Sequence, residues 1–158
     1  MIDISMSKLF AMISGSSVAV LSMLGSDIHH GAESGARAEI TKVIVLFVKA
    51  GDSRNTTQLD RVLHDHFRVV ANQLMGSPAV NVITKDQYLA LISEGKLGGD
   101  TRTLDIQSLE IIGRNASAKV RIVGKALTFE SFYHLIQTSE GQWQLLQDLP
   151  FATKNQSK

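Results

Sequence analysis

The chain has 158 residues, 44% of them hydrophobic and 20% charged, and its 16 Lys and Arg against 15 Asp and Glu leave a formal net charge of +1. These values fit one ordinary globular domain and exclude an overall field suited to nucleic acid, anionic membranes or acidic substrates. The absence of cysteine excludes disulfides, thiolate catalysis and Cys-ligated zinc, and leaves the compartment open.

Residues 1–35 differ in character from the rest. Leu9 to Leu24 is a run of apolar and small residues behind a single Lys8, short for a membrane span and about right for the hydrophobic part of a secretory signal. Asp3, a thin basic region and a distant Ala36-Arg37-Ala38 triplet speak against cleavage. An export signal and a helix covering apolar surface therefore both stand open. The first would place the protein in the periplasm or outside the cell, the second in the cytoplasm. Ser26 to Gly35 reads as a polar linker containing glycine.

The folded domain is expected over residues 36–152, with a polar tail at 153–158. Ile40, Val43, Ile44, Phe47 and Val48 follow helical spacing, and Gly51 supplies a stop. Thr57 with Asp60 resembles a capping box opening a short helix that buries Leu59, Val62 and Leu63. Phe67 to Leu74 and Val80 to Ile83 read as strands around a Gly76-Ser77-Pro78 turn. Thr84 with Gln87 forms a second capping box, predicting a helix over Lys85 to Glu94 that buries Tyr88, Leu89 and Ile92 and ends at Gly95. Lys96 to Asp100 reads as a flexible loop.

Thr103 to Gly113, Ala116 to Gly124, Thr128 to Thr138 and Gln142 to Phe151 then read as consecutive long strands joined by tight turns. Such a meander predicts a large, bent antiparallel sheet with the helices on one face, an α+β fold. Leu104 and Ile106 alternate out of step with Leu109 and Ile111, which predicts a bulge near Gln107-Ser108. A two-residue turn at Glu140-Gly141 would pair Thr138 with Trp143. That register puts Phe132, His134 and Ile136 on the face of Trp143 and Leu145, and Tyr133 and Leu135 on the face of Leu146 and Asp148.

No cluster of acid, base, nucleophile or metal ligands stands out. His64 and His66 at a helix end, and His29-His30 in a linker, read most simply as surface groups. Lys119 and Arg121 alternate with Ala118, Val120 and Ile122, marking a solvated or interfacial face. Candidate ligand contacts are Tyr88, Phe132, His134 and Trp143, at the wall of a mainly apolar cavity between helices and sheet. His134 reads first as a core histidine and Trp143 as a core anchor whose N–H needs a partner. No catalytic residue, metal or cofactor is indicated, and Tyr133 opposite Asp148 reads first as a cross-strand contact.

The order of elements, with Asn115-Ala116-Ser117-Ala118-Lys119-Val120, Phe132-Tyr133-His134-Leu135 and Gly141-Gln142-Trp143-Gln144-Leu145, resembles the nuclear transport factor 2-like superfamily and within it the bacterial putative lumazine-binding, SnoaL-like, group. The resemblance covers about residues 37–151. It implies a cone-shaped, cystatin-like fold with a pocket inside the curled sheet, and homodimers packed through the sheet. Enzymes of this superfamily, such as ketosteroid isomerase and related dehydratases, use a pocket carboxylate or His base opposed to hydrogen-bond donors. Here Phe67-Arg68-Val69-Val70-Ala71-Asn72 carries no carboxylate where such a base is expected, which leaves His134 or Asp148 as alternatives. The reading is a small-molecule-binding or accessory domain for a small apolar or aromatic ligand. An isomerase- or dehydratase-like enzyme and a protein-interaction module with a filled core are the rivals.

Overall fold

The computed structural model describes residues 26–155, so Leu9 to Leu24 and both readings of it lie outside the described residues. Helix α1 (Ser26–Asp52) begins inside the stretch expected as a linker. Gly31 and Gly35 weaken a helix there, but Ala32, Glu33, Ala36, Arg37 and Ala38 are strong formers. Glu33 and Arg37 also lie one turn apart, 3.7 Å from each other. Further along, Ile40, Ile44, Phe47 and Val48 are buried as their spacing requires.

Helix α2 (Thr56–Val62) is capped by Asn55, whose Oδ1 accepts the Gln58 N–H at 2.9 Å. The expected Thr57–Asp60 box lies too far along, and Asp60 instead meets Lys85 Nζ at 2.9 Å. Strand β1 (Leu63–Asn72) follows without a loop, so Leu63 is a strand residue, not a helical one, though fully buried. A 3-10 turn at Leu74–Gly76 leads to β2 (Val80–Thr84). Helix α3 (Lys85–Ser93) carries the reciprocal Thr84–Gln87 box as expected. Lys85 ties α3 to β1. Its Nζ donates to the Leu63 carbonyl at 3.0 Å and to Asp65 at 3.3 Å as well as meeting Asp60. Burial works to lower its pKa, and the Asp60 and Asp65 carboxylates outweigh that and raise it.

Strands β3 (Thr103–Ile112), β4 (Asn115–Val123), β5 (Leu127–Gln137) and β6 (Trp143–Lys154) form the meander. The last strand passes Phe151 and takes Thr153 and Lys154 of the expected tail into the sheet. Spatial order is β2-β1-β6-β5-β4-β3, a curled sheet that does not close. It is mixed where an antiparallel one was expected, because β1 pairs in parallel with β6. Local alternation of side chains carries no record of that distant partner.

Besides a register shift between Leu63 and Arg68 where β1 meets β6, two bulges shape the meander. The expected one lies between Ile106 and Ser108. It brings Leu104, Ile106, Leu109 and Ile111 to one half-buried face. The second was not expected. The β5–β6 loop runs from Thr138 to Gln142 and pairs Gln137 with Trp143, one residue away from the two-residue turn; then Leu135 pairs with Leu145 but His134 with Gln147. Leu146 is the extra residue, and the register beyond it places Tyr133 opposite Asp148. The inner face of β5 and β6 therefore carries Tyr133, Leu135, Trp143 and Leu145, all buried, whereas Phe132 and His134 point to the open face. The expected grouping of Trp143 and Leu145 with Phe132 and His134 is overturned, and the Tyr133–Asp148 pair holds.

The segment after α3 is fixed to the end of α1, not loose. Arg54 donates to the carbonyls of Gly95, Leu97 and Gly98 at 3.1–3.2 Å. Gly99 N–H reaches the Gly51 carbonyl at 3.1 Å. At Gly98, with φ of +70°, a Cβ would lie 2.2 Å from that same carbonyl, so only glycine permits the approach.

Candidate functional site

The α helices leave a recess against the curled sheet. It is a cavity of about 140 Å³ walled mainly by apolar side chains, with Arg102, Ser131 and Asp148 as its polar non-phenolic groups. Each wall follows from local pattern. Phe47 descends from the buried stripe of α1; Tyr88 lies one turn before Ile92 on α3; Val69 and Ala71 are inward positions of β1. Across the sheet, β5 contributes Phe129, Ser131 and Tyr133, and β6 contributes Asp148 and Pro150. Alternation places the β5 residues, while the Leu146 bulge turns Asp148 and Pro150 inward.

Aromatic rings build one side. The Phe47 centroid lies 5.9 Å from that of Tyr88 and 5.6 Å from that of Tyr133, the latter edge to face. Such geometry suits the ring quadrupoles and fixes the wall. Both phenols are held above their ordinary pKa, by burial first and by the neighbouring Asp148 next. They remain protonated and can act as hydrogen-bond donors.

Arg102 enters from the segment before β3 and is already committed. Its Nε donates to Asp52 Oδ1. Its backbone N–H donates to Asp52 Oδ2 and its Nη2 to the Val48 carbonyl, both at 3.2 Å. Both side chains of the pair are 18% exposed. The ion pair closes the C-terminal end of α1, and the Arg102 charge still reaches Asp148 and both phenols.

Asp148 is different. Its Oδ1 is buried and has no hydrogen-bond partner among the described residues. Burial pushes its pKa up to about 7, with the Ser131 hydroxyl and the Arg102 charge pulling the other way. A carboxyl at that value exchanges its proton near neutral pH.

Of the four residues expected at the site, the structure brings in one. Tyr88 lines the cavity. Trp143 is buried on the inner face among core residues, its Nε1 without a partner among the described residues, and it is not part of the cavity wall. Phe132 and His134 lie exposed on the opposite face, so His134 is neither a core histidine nor a contact of this cavity. His64 and His66 sit on β1, with ring centroids 5.5 Å apart and His64 Nδ1 accepting the His66 N–H. Among the described residues no group of three or more acids and histidines could hold a metal ion, and no helix is long and apolar enough to cross a membrane. Sequence reasoning missed Arg102, which carries no motif. It named Asp148 as the partner of Tyr133 and, with His134, as an alternative base, without placing it in the cavity.

The chain matches a family model described as putative lumazine-binding over residues 35–149. No curated protein matches it. Among solved structures, a nuclear transport factor 2-like protein of unknown function from Silicibacter pomeroyi is 16% identical, with a TM-score of 0.67 over 77% of this chain and 98% of that one. A ketosteroid isomerase-like protein from Erwinia carotovora atroseptica is 13% identical, with a TM-score of 0.61 over 75% of this chain and 96% of that one. A protein of unknown function with a cystatin-like fold from Nostoc punctiforme is 8% identical, with a TM-score of 0.61 over 74% and 90%. At these identities the structural likeness establishes the fold alone. The match of the family model to most of the domain, on a curled sheet of this topology, means that the chain belongs to the putative lumazine-binding family of the nuclear transport factor 2-like superfamily.

Proposed function

We propose that the domain binds a small, largely apolar molecule in the cavity between its helices and the inner face of the sheet. The observation that carries this reading is Asp148 Oδ1, a buried carboxyl oxygen with no partner among the described residues, set in a mainly apolar wall. Such a group destabilises the fold unless something completes it, and unpaired acids of this kind concentrate at sites of function. A small ligand with a matching polar group supplies what the protein omits. Native mass spectrometry of protein purified without additives tests it. A bound small molecule that is lost in Asp148→Asn is the expected result; absence of any such molecule, together with no thermal shift in a screen of small compounds, refutes it.

The same carboxyl favours a second reading, an isomerase- or dehydratase-like proton transfer. A base near pH 7 opposed by two protonated phenols is the arrangement that removes a proton next to a carbonyl and holds the resulting enolate. Exchange of α-protons of small ketones into deuterated water, followed by NMR, separates catalyst from binder.

A second copy of the chain is the proposed partner of the open sheet face. Phe132 and Phe151 are 48% and 61% exposed there. Cross-strand neighbours Arg121 and Glu130 add both signs of charge, which lets such a face complement itself about a two-fold axis. Light scattering of the full chain should give twice the chain mass, and Phe132→Glu should halve it. Monomeric wild-type protein at micromolar concentration excludes this.

A further inference from the structure

We propose that the cavity takes a single-ring ligand bearing one cationic nitrogen on a short alkyl arm, an arylalkylamine by chemical class, with that nitrogen seated on Asp148 Oδ1. This deepens the binding reading given above and depends on it.

Size limits the ring system. The cavity measures about 140 Å³, and a cavity of about 150 Å³ lined by apolar side chains accommodates benzene. One ring with a short substituent fills it; a fused bicycle with a side chain, or a steroid, would have to project from its open mouth. The rim resists enlargement, since Leu97 and Gly98 are held by Arg54 and Gly99 by Gly51. The Gly98 backbone is already packed onto the Gly51 carbonyl.

Charge selects the substituent. The ionisable groups around Asp148 are Arg102 from the segment before β3, Asp52 at the end of α1, Tyr88 on α3 and Tyr133 on β5. On β1 the wall is Val69 and Ala71. Arg102 is paired with Asp52, and both phenols stay neutral. Asp148 thus feels the Arg102 charge at a distance but has no ion-pair partner among the described residues, and its Oδ1 has no hydrogen-bond partner among them. Where Asp148 is ionised a carboxylate ligand would meet like charge, whereas an ammonium group would donate to the buried, unpartnered Oδ1 and lie beside the aromatic wall of Phe47, Tyr88 and Tyr133. Because burial raises the Asp148 pKa to about 7, an amine that is charged throughout must displace a proton below that pH. Its affinity should fall about tenfold per pH unit below 7 and level off above.

Calorimetry on the full chain tests this with benzylamine, toluene, benzoate and lumazine as probes. Benzylamine is expected to bind with the stated pH profile, toluene more weakly and without it. Asp148→Asn should weaken benzylamine at least about tenfold while leaving toluene within about threefold. Tighter binding of benzoate or lumazine than of benzylamine overturns the ligand class and leaves the cavity reading intact. So does benzylamine binding that ignores both pH and Asp148→Asn, or toluene binding alone. If none of the four binds, this inference falls, and the cavity reading falls with it when the purified protein also carries no small molecule.

Discussion

The inner and open faces of the sheet are drawn from the same strands, residue by residue, yet they obey different rules. On β5, Ser131, Tyr133 and Leu135 are buried, while Phe132 and His134 between them are exposed. The inner face is nearly all apolar and contains one acid without a partner. The open face mixes aromatic rings with charges of both signs that face each other across strands. An aromatic residue thus has opposite meanings one position apart: an inner ring fixes a wall, and an outer ring offers surface to a partner.

The sharpest break in this comparison is a truncation on each face. Phe67 is 1% exposed and packs its ring 6.0 Å from Phe47 and 5.6 Å from Tyr88. Phe67→Ala should cost about 3–5 kcal/mol in denaturant unfolding. Phe132→Ala, in a monomer, should cost under about 1 kcal/mol. Equal losses would mean that the open face is buried as deeply as the inner one.

Asp148→Asn comes next, and its sign is reversed. An acid with a raised pKa keeps its proton in the folded state between about pH 4 and 7, where the unfolded chain has lost it. Stability therefore falls as pH rises through that window, by up to about 1.4 kcal/mol per unit, and stays level above it. The Asn variant should remove this slope and unfold later than wild type at pH 8, by a few kcal/mol at most. Thermal melts between pH 4 and 9 check it; a parallel profile in the variant would place the titration elsewhere.

Smaller effects lie at the margins. Thr84→Ala removes the acceptor for the Gln87 N–H and should cost about 1 kcal/mol. His134→Ala should change stability by less than about 0.5 kcal/mol and leave cavity binding untouched. If His134→Ala abolished binding, the open face would be the site.

How much of this could be read beforehand varied with the range of the interaction responsible. Helix α3, its Thr84–Gln87 cap and the bulge beside Gln107 depend on neighbours in sequence, and all were legible. The β1–β6 pairing depends on residues far apart in the chain and left no local trace. Near the last hairpin the outcome split within one strand. The turn was misjudged by one residue, which sent Trp143 and Leu145 to the wrong face, while Asp148 was correctly opposed to Tyr133 because Leu146 restores the count. The candidate site suffered accordingly. Aromatic type suggested Phe132 and His134, and only the register shows that they face away. Arg102, defined by its partner Asp52 fifty positions earlier, carries no signature in the chain.

The Leu146 bulge also makes β6 unevenly tolerant of length. Removing Leu146 would turn Leu135–Leu145, His134–Gln147 and Tyr133–Asp148 into successive rungs of one ladder, with every remaining side chain keeping its side. Loss of a residue from the regular stretch beyond it would turn part of the strand over and carry either Asp148 or the strand's outer residues to the wrong face. One position in the middle of the sheet can thus be dropped without exchanging inside for outside, and with the buried acid left in place.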